Sequence, residues 1–582
     1  MNVNDWILND TASKVFPLYS RANVGEVFPD PITPLNATAG FLANLEPGWR
    51  DAYVDCRAWD HDLYDETVEH NPLVCFGGYL FINMSLMRLF GVRVPGFSPE
   101  AVDLQYFGDM PGIPSYESER RPFDDSPEWS EQAGAWLLSD VLGATGLDEL
   151  DALRAEVEAI IAARPALCGL SDAELAERVT TTWAPLFRQL FRLHIVVSLK
   201  AGIGLGALAQ VCGAIGKAEL SLTLARGIGD VDSAGPSRVM WDLGRQVAGS
   251  ATLSALFDAG VDDRLDRLRA STDADVVAFA ARLGEFLAAW GFRGPNEWEL
   301  RSPTWGTQPE LALALIERVR FADTSAAPAA ALERGGAERE AAAAEVRALL
   351  AGNDEVLPQF EAALHAATLW CRGRERQRTT TAMLVHEQRL AALELGRRAV
   401  AAGRLDRPEQ LFMLTADELA SFAAGADFAD LARDREATYL ELFDLEPPFV
   451  VDGTPAPLSE WKRRSAAATA PVLGPGQSIT GVPGCPGLAR GVARVVLDPS
   501  DPSQLEAGEV LVAPITDPSW TPLFVAAAAV VVQVGSPFSH AAIVSRELGI
   551  PCVVSAGDCT TLIPNGAVVE VDGTSGTVTV VG

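Results

Sequence analysis

The residue best placed for chemistry is His540, which follows Ser539 and the turn Gly535-Ser536-Pro537 and opens the apolar-periodic run Ala541 to Leu548. Serine directly before such a run is a helix N-cap, and Gly549 with Pro551 is a stop signal, so the spacing predicts a helix from about His540 to Leu548. A helix start offers unpaired backbone N–H groups and the positive end of the helix dipole, both suited to a dianionic phosphoryl group. Imidazole can carry that group, because a pKa of about 6.5 leaves much of it neutral and nucleophilic near neutral pH. Ser539 can cap the helix and donate to a phosphate oxygen.

The elements around His540 are short. A buried strand is expected from Ala528 to Val534, and the runs GVARVVLD, EVLVAPI, IPCVVSA, AVVEVDG and TVTVVG alternate with turns. Residues 481–582 are therefore expected to form a small α/β domain. Before them, SAAATAPVLGPGQS is small, uncharged and punctuated by Pro and Gly, as a hinge at 465–480 would be. From about Asp124 to Leu445, Ala, Leu, Glu and Arg recur at helical spacing, so residues 1–464 are expected to form a large, mainly α-helical domain. AAPAAALERGG, Ala326 to Gly336, reads as a loop. GIGLGA, Gly202 to Ala207, lies in an apolar helical run and reads as helix packing, not as a phosphate loop.

Lys plus Arg number 46 and Asp plus Glu 78, a net charge of −32 that would repel nucleic acid and anionic membrane. The eight cysteines form no CxxC pair and read as small core residues in a reducing compartment. The N-terminus MNVNDWILND lacks a basic and then apolar leader, and no stretch of about 20 apolar residues stands out, so a cytoplasmic location is expected. His61 and His70, in HDLYDETVEH, lie among carboxylates but lack a further clear ligand set; they read as a solvated face, and no metal site is expected.

GSPFSHAAIVSRELGIPCVV resembles the phosphohistidine signature of the mobile domain of PEP-utilising enzymes. GVPGCPGLARGVARVV, Gly481 to Val496, is similar to that domain's opening strand pair, and DGTSGTVTVV, Asp572 to Val581, to its closing hairpin. Ser536 stands where a second glycine is common. The resemblance implies that His540 takes the phosphoryl group, that the domain swivels between two sites, that Ser539, Arg546 and Gly535 contribute to phosphate binding, and that Arg546 and Glu547 support the helix. For Arg546 a structural salt bridge is an equal alternative.

Three helical-region segments look like the acceptor domain of rifampin phosphotransferase and its relatives: SRANVGEVFPDPITPL from Ser20, WGFRGPNEWELRSPTW from Trp290, and LELGRRAVAAGRLDRPEQLFMLTADEL from Leu393. A PEP-handling barrel is not expected after His540, nor an ATP-grasp module before it. The arrangement resembles the acceptor and phosphohistidine subunit of two-component phenylphosphate or cresol phosphate synthases. That resemblance implies a separate ATP-grasp subunit holding ATP and Mg²⁺, and a phenolic acceptor. Arg293 would meet the phosphoryl charge, since charge on the transferring oxygens must be stabilised as the acceptor attacks. Glu297 would orient Arg293 or take the acceptor proton, His386 is a candidate base with His194 a weaker one, and Arg374, Glu375 and Glu26 are expected to bind the acceptor. Inactivation of a rifamycin-like antibiotic and a relay to another protein are the alternatives.

Overall fold

The computed structural model describes residues 9, 11–60, 71–107, 110, 112–260, 263–464, 472–497, 505–537 and 539–581. His61, His70 and the first part of the expected hinge, 465–471, lie outside them. Contacts divide the chain into two compact units, each assembled from separate stretches: Met1–Lys200, Trp298–Ser302 and Gln377–Thr469 in the first, Ala201–Glu297, Pro303–Arg376 and Ala470–Gly582 in the second.

The first unit is mainly helical, as its periodicity predicts, and also holds a four-stranded antiparallel sheet that the sequence pattern did not reveal. Leu73–Phe76 and Tyr79–Asn83 form a hairpin, Leu18–Ser20 pairs with the second of these, and Val450–Asp452 pairs with Leu18–Ser20. Strands this short carry little alternation, and the hairpin is buried on both faces, so its text is a plain apolar run. The closing strand comes from the far end of the helical text, a pairing no local pattern can announce.

Two helices run long: Ala184–Ala214 and Val356–Ala401. The first lies in the stretch 172–214, which by length and composition is apolar enough to cross a membrane, with 44% of its most apolar window buried. This corrects the expectation that no such stretch exists: Lys200 interrupts VVSLKAGIGLGALAQ without lowering its mean hydropathy enough. Within this helix Gly204 has no room for a Cβ, which would sit 2.7 Å from Ala367 N, so the expected packing role of GIGLGA is met.

In the second unit the C-terminal stretch forms an eight-stranded mixed sheet. Leu488–Val495, Val510–Ala513, Ala529–Val532 and Cys552–Val554 run parallel, with Val482–Cys485 antiparallel on one edge. On the other side Val568–Asp572, Thr577–Val580 and Ser478–Thr480 follow antiparallel. The described part of the expected hinge belongs to this sheet: Leu473 N donates to Leu562 O at 2.8 Å and Gly476 N to Val580 O at 2.7 Å. Backbone pairing, unavailable to a compositional reading, decides this.

One apolar core joins the sheet side to the helices of the same unit. Met240, Leu243, Phe279, Phe286, Trp305 and Ile316 share it with Trp520, Phe524, Ala542 and Val544. The segment read as a loop at Ala326 to Gly336 is instead mostly helix, Pro328–Leu349. Pro328 occupies the first turn, where its missing N–H costs nothing, and alanine propagates the helix. Gly335 and Gly336 survive inside it because the chain near Gly227 packs directly on them, with Gly336 N 2.2 Å from where a Gly227 Cβ would lie.

Candidate active site around His540

The helix His540–Leu548 forms as its sequence predicts, with Ser539 in extended conformation as N-cap and its Oγ accepting from Ala542 N at 3.4 Å. Ser539 N in turn donates to Ser536 O at 2.9 Å, which closes the turn after Gly535. The Gly535 carbonyl accepts from Ser555 Oγ.

His540 is 0% exposed. Both ring nitrogens face threonine hydroxyls: Thr521 Oγ1 is 3.1 Å from Nε2 and Thr516 Oγ1 is 3.4 Å from Nδ1. Phe524 closes another side, its ring centroid 5.9 Å from that of the imidazole. A hydroxyl can donate or accept, so each threonine can serve either tautomer. These threonines were missed by sequence reasoning; the available signal was a pair of hydroxyls flanking the buried aromatic in Thr516-Asp517-Pro518-Ser519-Trp520-Thr521, just before the strand that leads to His540.

Glu297, expected either to orient Arg293 or to take the acceptor proton, forms an ion pair with Arg293. Arg293 Nη1 donates to both carboxylate oxygens of Glu297, at 2.8 and 3.0 Å, with the side chains 0% and 2% exposed. The guanidinium also lies 5.1 Å from the centre of the Phe292 ring. Trp305 N donates to Arg293 O at 2.7 Å and pins the loop across its base. Gly294 is required there, because a Cβ would come within 2.3 Å of Pro303 O. At the tip, Asn296 N donates to Asp517 Oδ2 at 2.8 Å, while Asp517 Oδ1 accepts from Ser519 N at 2.8 Å and Ser519 Oγ at 2.5 Å. The loop carrying Arg293 is thus bonded to the residue next to Thr516, and Thr516 faces His540.

The remaining expected residues are placed as follows. Arg546 is buried and its Nε donates to Gly484 O at 2.8 Å, which ties the helix to the neighbouring strand at the end away from His540. Arg374 and Glu375 form an ion pair at 2.6 Å, with Glu375 fully buried. Glu26, 2% exposed, and His386 belong to the first unit. Burial, then Arg389 and Arg164, push the His386 imidazole down to about 3, leaving it neutral and weakly basic near neutral pH. His194, also in the first unit, stacks edge-on to Trp298 at 5.0 Å.

Seven of the eight free cysteines are buried. Burial pushes the Cys485 thiol up to about 11 and Cys552 up to about 12. Among the described residues no three His, Cys, Asp or Glu side chains converge as a metal site.

Two family models match. Residues 194–375 match the rifampicin phosphotransferase fourth domain, and residues 505–576 match the PEP-utilising enzyme mobile domain. Arg293, Glu297, Arg374 and Glu375 fall in the first match; Ser539, His540 and Arg546 fall in the second. An uncharacterised protein of Mycobacterium tuberculosis is 28% identical over 97% of this chain, which spans 62% of that relative's length. A rifampicin phosphotransferase of Streptomyces sviceus is 30% identical over 55% of this chain and 36% of its own. A probable phosphoenolpyruvate synthase of Staphylothermus marinus is 48% identical over 17% of this chain and 12% of its own. The C-terminal stretch is thus similar to the mobile domain of PEP-utilising enzymes, and the histidine that the sequence and the geometry single out lies in that matched stretch.

Proposed function

We propose that this chain is a phosphotransferase component: His540 accepts a phosphoryl group and passes it to the hydroxyl of a small phenolic molecule such as 4-methylphenol. The observation that carries the proposal is the enclosure of His540 at a helix start, with a hydroxyl at each ring nitrogen, in the matched mobile domain. A phosphoramidate is labile to water, and a fully buried imidazole protects it. In the first half-reaction a P–N bond forms at one ring nitrogen as the donor's P–O bond breaks. In the second, the acceptor oxygen forms a new P–O bond while the P–N bond breaks, and the acceptor proton leaves to a base.

Arg293 is the cation assigned to that transfer, and its support is that its loop is bonded to Asp517 beside Thr516. Its partner Glu297 holds one guanidinium nitrogen in place. A phenol, with a pKa near 10 by analogy with tyrosine, gives up its proton more readily than an aliphatic alcohol. The donor in this reading is ATP with Mg²⁺, loaded through a separate ATP-grasp polypeptide. The match of residues 194–375 to the rifampicin phosphotransferase fourth domain favours a second reading, in which the acceptor is a rifamycin-like macrocycle.

The test uses potassium phosphoramidate, which phosphorylates imidazole without ATP. The full chain is expected to gain one acid-labile phosphoryl group at His540, absent from His540→Ala, and to discharge it to 4-methylphenol as aryl phosphate. Discharge to a rifamycin alone selects the second reading. Modification elsewhere, with none at His540, sinks both.

A further inference from the structure

The second unit holds a built anion receptor away from His540. In residues 226–230, Gly227, Gly229 and Asp230 have φ of 55°, 69° and 55°. Backbone in this alternation turns successive N–H groups to one side, the arrangement that forms a nest for an anion. Ile228 N and Gly229 N donate at 2.8 and 3.0 Å, one to each oxygen of the Glu547 carboxylate. The carbonyls of the same two residues are held independently: Arg372 Nε donates to Gly229 O at 2.9 Å and Nη2 to Ile228 O at 2.5 Å. Arg376 pairs with Asp230 at 3.1 Å.

The loop also rests on the notch left by Gly335 and Gly336. The receptor is therefore shaped by residues 226–230 with Gly335, Gly336, Arg372 and Arg376, and the anion that fills it comes from the helix that His540 opens. Burial pushes the Glu547 carboxyl above its ordinary range, and the two backbone N–H groups, Arg372 and Arg339 pull it back. Glu547 makes these bonds across elements, a different task from supporting its own helix.

We propose that Glu547 is a docking residue, seated in the backbone nest of residues 226–230 to register the mobile domain against the segment that carries Arg293. It is a positioning residue, not a catalytic one: seven residues of helix put it roughly 10 Å along the axis from His540. One rigid helix joins them, so anchoring its C-terminal end fixes the direction in which His540 is presented. The part of this inference that concerns transfer rests on the proposed phosphotransferase reading; the docking part does not.

The experiment is residue-resolved hydrogen exchange on the full chain, comparing wild type with Glu547→Gln and Glu547→Asp. Two sets of amides are followed: Ile228 and Gly229 at the nest, and Asn296, which donates to Asp517 at the other contact. Glu547→Gln is expected to raise exchange at both sets by about tenfold or more, the ratio for loss of one charge-assisted hydrogen bond. Glu547→Asp, which keeps the charge on a shorter arm, is expected to restore part of the protection. A rise confined to Ile228 and Gly229 would make Glu547 a local loop cap and overturn docking; no rise at either set would overturn it too.

Should Glu547→Gln fail to fold, seen as a lost near-ultraviolet circular dichroism signal, Arg372→Lys takes its place. That variant removes the carbonyl clamp and is expected to raise the same two sets; constant exchange at Asn296 would refute the proposal. Phosphoryl discharge from His540, loaded with phosphoramidate, is measured in parallel, and docking predicts a slower discharge with unchanged acceptor KM. If no variant, wild type included, takes a phosphoryl group at His540, the phosphotransferase reading fails while the exchange data still decide docking.

Discussion

Removing Glu297 tests how much its carboxylate stabilises the buried charge of Arg293. Arg293 is 0% exposed and Glu297 2%, joined by two hydrogen bonds from one guanidinium nitrogen. Glu297→Leu takes the carboxylate away from a buried cation, and breaking such a pair costs about 3–5 kcal/mol. Glu297→Gln keeps an acceptor oxygen and is expected to cost about 1.5–3 kcal/mol, the range for a hydrogen bond to a charged group. Replacing both ends, Arg293→Met with Glu297→Leu, removes the charge along with the need to solvate it, and the double variant should lose no more than about 1 kcal/mol. The coupling in that cycle is then at least about 2 kcal/mol.

Because the chain has two units, a single unfolding midpoint is a poor measure. Hydrogen exchange across 290–305 under native conditions reads the local cost directly. The double variant separates stability from chemistry: it should be folded and take a phosphoryl group at His540, yet discharge to a phenol about 10²–10³-fold more slowly, as when an electrostatic stabiliser is removed. A double variant as unstable as the sum of its singles would refute the buried-pair account. A stable double variant with wild-type discharge would refute the role given to Arg293.

Three further outcomes are expected. Thr521→Val, which removes the hydroxyl 3.1 Å from Nε2, should slow phosphoramidate loading of His540 about tenfold, and Thr516→Val, at 3.4 Å, should do less; mass spectrometric time courses distinguish them. Ser539→Ala should destabilise the helix start by about 0.5–1 kcal/mol, the low end for a cap, because its contact to Ala542 N is long at 3.4 Å; exchange of the Ala542 amide reports it. His386 is pushed down to about 3, so the unfolded chain binds the proton first as pH falls, and the stabilisation present above about 6.5 is lost toward 3 at up to about 1.4 kcal/mol per unit. Denaturant titrations of wild type and His386→Gln between these limits should show a shallower acid limb in the variant, and parallel limbs would refute this.

The helix that His540 opens was legible because its signals are local: an N-cap serine, nine residues of apolar period and a glycine stop all lie within one short stretch. Arg293 and Glu297 were legible as a pair for the same reason, being four apart in one loop. The seat of Glu547 was not, because its partners are two backbone N–H groups more than three hundred residues away, with no side chain to recognise. The small sheet of the first unit and the pairing of Ser478–Thr480 were hidden likewise, since register across distant strands leaves no trace in composition. Ala326 to Gly336 misled in the opposite sense: its two glycines read as punctuation, whereas they are the notch on which the 226–230 loop lies.

The shared core of the second unit also bears on how the chain is made. Met240, Phe279 and Ile316 are synthesised well before Trp520, Phe524 and Val544, the residues that cover them. At about 5–20 residues per second, ribosomes leave those helices without their covering for roughly 10–40 s. During that interval a young polypeptide presents an apolar surface to the cell, which is what holdase chaperones bind. Yield should accordingly depend on chaperone capacity during synthesis, and a truncation before residue 520 should remain chaperone-bound or precipitate even though every helix it needs is present.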